Sequence, residues 1–221
     1  MIPALIIWLC KKYIAPKINS KNLTHKLLAI KSVLLLIAFI GSNSALFAQQ
    51  SKFNIKRNGS VIGQMSLSQK EEGENLFVKI TSRVNTRFVF KIDVETEDVA
   101  HFRGGKLITS GVNRLVNGNV KEAKKTSWVN DSYEIQSGSK VSRLKQPICY
   151  NMMLLYSKEP VNIPSIYSDN YQCFLPVKKK GPHQYRVDLP DGNYNDYHFE
   201  NGICKMVIIH HSMYTIEMER V

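Results

Sequence analysis

The sequence predicts a mainly β protein: one large, strongly curved antiparallel meander, a half-barrel, packed around one short helix and preceded by an N-terminal signal helix. Three observations predict it: turn dipeptides recur at short intervals, apolar and polar residues alternate between them, and a basic-then-apolar segment stands ahead of both. Asn58-Gly59, Asn117-Gly118 and Asn201-Gly202 are the pairs that a two-residue hairpin needs, because both central residues take positive φ. Gly104-Gly105 and Asp191-Gly192 are weaker versions of the same signal. Turns this frequent make neighbouring strands antiparallel.

The chain opens with targeting. In the segment from Lys26 to Ala48, Lys26 and Lys31 follow Lys21, Val33 to Ile40 is unbroken apolar, and Gly41 to Ala48 is small and polar enough for a peptidase; no acid occurs before Glu71. Residues 26–48 therefore read as a signal peptide cut after Ala48, with Ala45 as the fallback. The competing reading is an anchor over residues 27–47, with Lys31 near one end of a span close to the roughly 20 residues that a bilayer needs. Residues 1–25 precede this segment as an extension with its own apolar run, Ile2 to Cys10. No methionine lies between Met1 and Met65, so a mis-set start near Leu23 is one explanation, and a short membrane-associated segment is the other.

Residues 1–48 hold six lysines and no acid, so their removal leaves 24 basic against 18 acidic side chains and lowers the net charge from +12 to +6. What remains, 49–221, is long enough to bury its own core and shows no linker, which predicts a single antiparallel β domain. Strands are expected at 52–57, 60–70, 75–84, 86–103, 106–116, 119–129, 132–137, 171–179, 183–189, 193–200, 203–210 and 212–219. In the second, Val61, Gly63, Met65 and Leu67 alternate with Ile62, Gln64, Ser66 and Ser68; in the fourth, Phe88, Phe90, Ile92 and Val94 alternate with Arg87, Lys91, Asp93 and Glu95. The helix is expected after Pro147, where Ile148, Met152, Leu155 and Tyr156 share a face before Glu159-Pro160 stops the run. So short a helix is marginal alone and must pack on the sheet. A dozen strands curl, split or close, so a half-barrel around the helix is expected, with a closed barrel or a two-sheet sandwich as the alternative.

The blocks FNIKRNGSVIGQMSLSQ, TRFVFKIDVETEDVAHFRGGKLITSGV, VNGNVKE, ICYNMMLLYSKEP and FLPVKKKGPHQYRVDLPDGNYNDYHFENGICKMVIIHHS carry a resemblance. Across residues 52–219 they resemble an uncharacterised family of exported Bacteroidetes proteins, a domain of unknown function. The layout is also similar to periplasmic half-barrel proteins related in shape to lipoprotein carriers. The resemblance implies this fold and an exported address, periplasmic or extracellular within the cell envelope; it implies no reaction and no catalytic residue.

Chemistry is sparse in the pattern. Cys149, Cys173 and Cys204 with His101, His183, His198, His210 and His211 show no metal-ligand spacing, and pairing across Asn201-Gly202 sets His198 opposite Lys205, which puts Cys204 and His210 on one face and His198 and His211 on the other. Three cysteines leave at least one unpaired; Cys173 with Cys204 is the candidate bridge, and Cys173, near Lys178-Lys179-Lys180, is the one candidate reactive thiol. No G-x-S-x-G elbow and no phosphate loop occur, and Asp93, Glu95 and Glu97 alternate as the wet face of a strand does. The function expected is non-catalytic: a lipid or other amphipathic ligand held on the concave face, lined by Phe88, Phe90, Ile92, Val94, Met152, Leu155, Met206 and Ile208, or else a dry core made by the same residues. The alternative is a structural or interaction module that binds an envelope protein through a sheet edge or a basic rim at Lys178, Lys179 and Lys180; an enzyme whose site is assembled from distant residues comes third. No cofactor or metal is expected. Export argues against nucleic acid as a partner despite the basic charge, and the mature domain is not expected to span a membrane.

Overall fold

The hairpin signals govern the observed chain path. In the computed structural model, which describes residues 48–87 and 91–221, φ is +50° and +77° at Asn58 and Gly59, +50° and +78° at Asn117 and Gly118, and +51° and +76° at Asn201 and Gly202. All described residues belong to one unit, Leu46–Val221. The extension 1–25, the signal segment up to Phe47, and Phe88 and Phe90 lie outside the described residues.

Fourteen strands form one antiparallel sheet: β1 (Ala48–Arg57), β2 (Ser60–Glu72), β3 (Asn75–Arg87), β4 (Lys91–Arg103), β5 (Lys106–Val116), β6 (Asn119–Val129), β7 (Ser132–Ser137), β8 (Lys140–Leu144), β9 (Ser165–Ser168), β10 (Cys173–Gly181), β11 (Gln184–Asp188), β12 (Tyr194–Glu200), β13 (Ile203–His211) and β14 (Tyr214–Arg220). Each pairs with its neighbour in sequence, except that β8 and β9 are the two outer edges and β1 pairs with β14, at Phe53 with Arg220 and Ile55 with Met218. The sheet is not closed into a barrel. It curls nonetheless, because the turn after β9 reaches β5, β6 and β7, near the far end of the strand order, through side chains alone.

One face is the core. Phe53, Leu67, Phe102, Leu107, Tyr133, Ile166, Tyr197 and Val207 are at most 2 % exposed, and they enclose the segment that joins β8 to β9. Its helix is shorter than expected and of the 3-10 type, Met152–Tyr156; Asn151 caps it by accepting from the Leu154 amide, and Met153, Leu154 and Leu155 are buried. Tyr133 fixes the start of this plug: its hydroxyl donates to the Leu107 carbonyl at 2.8 Å and accepts from the Ile148 amide at 3.3 Å.

Three expectations need correction. β8 and β9 carry no strand pattern in the sequence, because β8 is exposed along almost its whole length and β9 is buried on nearly every residue, so neither alternates. The long strand expected over 86–103 is the end of β3 plus β4, with Arg87 paired to Lys91; the apolar stretch between them carries no turn residue. In the third, a bulge at His198/Phe199 pairs His198 with Met206 instead of Lys205. An inserted residue reverses the side-chain parity beyond it, so Cys204 and Val207 face the core, whereas Met206, Ile208 and His210 stand on the outer face, beside Glu219, Glu217 and Asp196.

Gly63 shows how tightly the sheet coils. A Cβ there would lie 2.2 Å from the Arg83 carbonyl oxygen and 2.9 Å from the Val84 Cα. Both obstacles are backbone, so Gly63→Ala is expected to cost about 2–3 kcal/mol as overpacking, read as a lowered urea midpoint. A midpoint equal to that of the wild type would show that the strands separate freely there.

Candidate functional site

The concave face has two unlike halves. The plug meets the end that carries the β10–β11 and β12–β13 turns: the Glu159 amide donates to the Gly202 carbonyl, and the Glu159 carboxylate accepts from Tyr185 at 2.8 Å and contacts His183 at 3.1 Å. Those bonds hold the Glu159 carboxyl below its ordinary value against the opposing effect of desolvation. The β1–β2, β5–β6 and β13–β14 turns lie at the opposite end, the mouth. There the inward residues Val84, Val94, Val116, Ile209 and Ile216 are only half-buried.

Between plug and mouth lies a polar floor. Register aligns Asp98 on β4 with Ile80, Val112 and Lys124 on the inner face, and Thr96 with Ser82, Arg114 and Glu122. Glu122 pairs with Arg114 at 3.0 Å and with Lys124 at 3.1 Å, while Lys124 also donates to the Asn170 carbonyl. Asp169, 6 % exposed, accepts from Asn151 at 2.8 Å, and Ser110 on β5 acts on the same carboxyl. Desolvation raises the Asp169 carboxyl to about 7, Asp98 adding to the rise and the bonds from Ser110 and Asn151 opposing it. Desolvation likewise raises Asp98 to about 6, with Arg114 opposing and Glu122 reinforcing the shift. One oxygen of each, Oδ1, has no hydrogen-bond partner among the described residues.

The pattern contained a signal for Asp98. Asp93, Glu95 and Glu97 occupy the wet register, but Asp98 falls in phase with Val94, Ala100 and Phe102, which face inward. Asp169 had no comparable signal, since it follows a four-residue strand without alternation. Among the described residues no group of three or more His, Cys, Asp or Glu side chains is placed to hold a metal ion. Cys149, Cys173 and Cys204 are free thiols, which overturns the expected Cys173–Cys204 bridge. Burial raises the Cys173 thiol and pushes Cys204 up to about 12, so neither is an activated nucleophile.

The floor names no reaction, but sequence comparison assigns a family. Residues 53–221 match the model of DUF6134, a domain of unknown function. The chain belongs to the DUF6134 family. No curated protein matches it. Among solved structures, the crystal structure of a β-barrel-like protein of domain of unknown function DUF1849 from Brucella abortus is similar in fold, with a TM-score of 0.54 at 8% identity, covering 80% of this chain and 96% of that one.

Within the DUF6134 domain the candidate lining residues do not form one surface. Ile92 and Val94 lie toward the mouth, half-buried. Leu155 is fully buried in the plug, with Met152 packed against the core. Met206 and Ile208 are on the convex side, and Phe88 and Phe90 lie outside the described residues. The basic rim is divided too. Lys178 is paired with Asp188, Lys179 takes the opposite face by strand alternation, and a bulge interrupts the ladder between Lys179 and Gly181. No helix among the described residues is long and apolar enough to cross a membrane.

Proposed function

We propose that the DUF6134 domain is an exported envelope protein that holds the apolar part of an amphipathic ligand in the mouth half of its concave face. The observation that carries this reading is the contrast within one face: the plug half is sealed, while Val84, Val94, Val116, Ile209 and Ile216 form an inward apolar strip that is only half-buried. An apolar strip bounded on one side by ionic groups and on the other by solvent suits a molecule with a hydrocarbon body and a polar end. The side chain that best tests it is Val94, inward, near the mouth and outside the sealed core. Delipidated wild-type protein is expected to bind a fluorescent long-chain fatty acid with a Kd on the order of 1 μM, and Val94→Lys to weaken it at least tenfold without lowering the melting temperature. Failure of the wild type to bind at roughly 100 μM probe, a level near the weak end of specific affinity, sinks the reading.

A further inference from the structure

The sheet's open seam is bridged by the plug, where the Leu107 amide donates to the Ile148 carbonyl and the Tyr167 amide to the Tyr150 carbonyl, and by one short turn. Residues 168–172, from the last residue of β9 to the start of β10, touch β5, β6 and β7 without a strand ladder. Tyr167, just before the turn, bonds Thr126 on β6 at 3.0 Å; Ser110 on β5 acts on the Asp169 carboxyl; Lys124 on β6 donates to the Asn170 carbonyl; and Gln172 donates to the Gln136 carbonyl on β7 at 2.9 Å and to the Lys125 carbonyl on β6 at 3.4 Å. The turn is stiffened internally, as Gln172, at φ +55°, donates its amide to the Ser168 carbonyl at 2.6 Å. These contacts hold one edge of the sheet against the other arm. A ladder resists local opening by many cooperative bonds, whereas the turn's hold on the far arm depends on a few side chains.

The side chain at the centre of the seam is also the one least suited to carry charge. Asp169 is buried, with Asp98 facing it from β4; Arg114 and Glu122 on β5 and β6 act on Asp98; Lys124 lies beside Asn170; and Tyr133, Tyr156, Tyr167 and Cys173 supply the nearby weak acids. Protonated, Asp169 keeps its bond from Asn151 at no Coulombic cost. Ionised, it faces Asp98 inside a desolvated seam. Arg114 and Lys124 already share Glu122.

We propose that the turn 168–172 is a clasp which releases the two arms of the sheet when the Asp98–Asp169 pair loses its proton. Opening hydrates Asp169 and widens the way to the concave face from the seam. Where the ligand reading above holds, the clasp governs entry and exit. The clasp itself requires no ligand, so its test uses ligand-free protein and is separable from the probe titration.

The experiment is hydrogen exchange of the Tyr167–Gln172 amides against pH, each rate divided by its intrinsic value, with the β3 amides of Val78 and Ile80 as the internal standard. If Asp169 titrates near 7 in the closed state and near 4 in the open state, linkage makes opening more favourable by up to tenfold per pH unit, levelling off above about pH 7. The protection of the clasp amides is therefore expected to fall at least tenfold between about pH 5 and 7, and to stay well below that of β3 throughout. Asp169→Asn is expected to flatten the profile. Asp98→Asn, which removes the repelling neighbour and leaves Asp169 in place, is expected to move the levelling-off to lower pH, and it serves if the first variant does not fold. Three results overturn the clasp: pH-independent protection in the wild type, an unchanged fall in Asp169→Asn, or clasp amides that follow the β3 amides at every pH, which would mean that the seam opens only on global unfolding.

Discussion

Leu155→Ala is expected to destabilise the domain by about 3–5 kcal/mol, the upper part of the range for a buried leucine. Leu155 is 0 % exposed in a helix of only five residues. A single 3-10 turn has no stability of its own, so packing holds it in place, and the deleted methyls leave a cavity beneath the plug. Met152, half-buried on the same helix, supplies the control: Met152→Ala should cost markedly less. Tyr133→Phe tests the same junction by a different force, because losing the hydroxyl leaves the Leu107 carbonyl and the Ile148 amide without that partner, a cost of about 1–3 kcal/mol. Urea midpoints at constant m-value measure all three. A Leu155→Ala loss below about 1 kcal/mol, less than any leucine truncation in a packed core, would mean that the plug is not part of the cooperative core.

Strand existence was legible in the sequence wherever one face is wet and the other dry. β2, β5 and β6 are bounded by Asn-Gly or Gly-Gly turns, and their pairing follows from those turns. Legibility failed where alternation has no physical cause, in the exposed β8 and the buried β9, and where one inserted residue inverted it, at the β12–β13 bulge that carries Met206 and Ile208 outward. The site was less legible than the fold for a related reason. Asp98 lies beside wet-face acids in sequence, and only its phase distinguishes it; Asp169, Ser110 and Asn151 come from three separated segments that the curl of the sheet brings together. Curling is a property of all fourteen strands, so no local pattern contains it.

The stability of the wild type is expected to fall as pH rises from about 4.5 to about 7 and then to level. The sign follows from the protons bound. The folded-state carboxyls of Asp98 and Asp169 are raised to about 6 and about 7 from the ordinary aspartate value of about 4, so between these limits the folded chain holds protons that the unfolded chain has released, and each pH unit gained favours unfolding. For Asp169, nearly fully buried, the window corresponds to a loss on the order of 4 kcal/mol; Asp98 adds less, because Arg114 offsets its desolvation and the two sites share one electrostatic interaction. Acidification works in the opposite sense on Glu159 and Asp191, whose values are lowered by the bonds from Tyr185 and His183 and from Tyr171 and Asn193. Their contribution is present above the unfolded-state value and lost as pH falls through the folded one, so greatest stability is expected near pH 4 to 5, an unusually acid optimum for a folded domain. Asp98→Asn combined with Asp169→Asn keeps acceptors in place while removing the titration, and should leave the urea midpoint flat between pH 4.5 and 7.5 while the acid limb persists. A wild-type midpoint that rises over that interval, or a double variant with the wild-type slope, would show that these two carboxyls are ionised and accommodated in the folded interior, and that the polar floor is hydrated instead of dry.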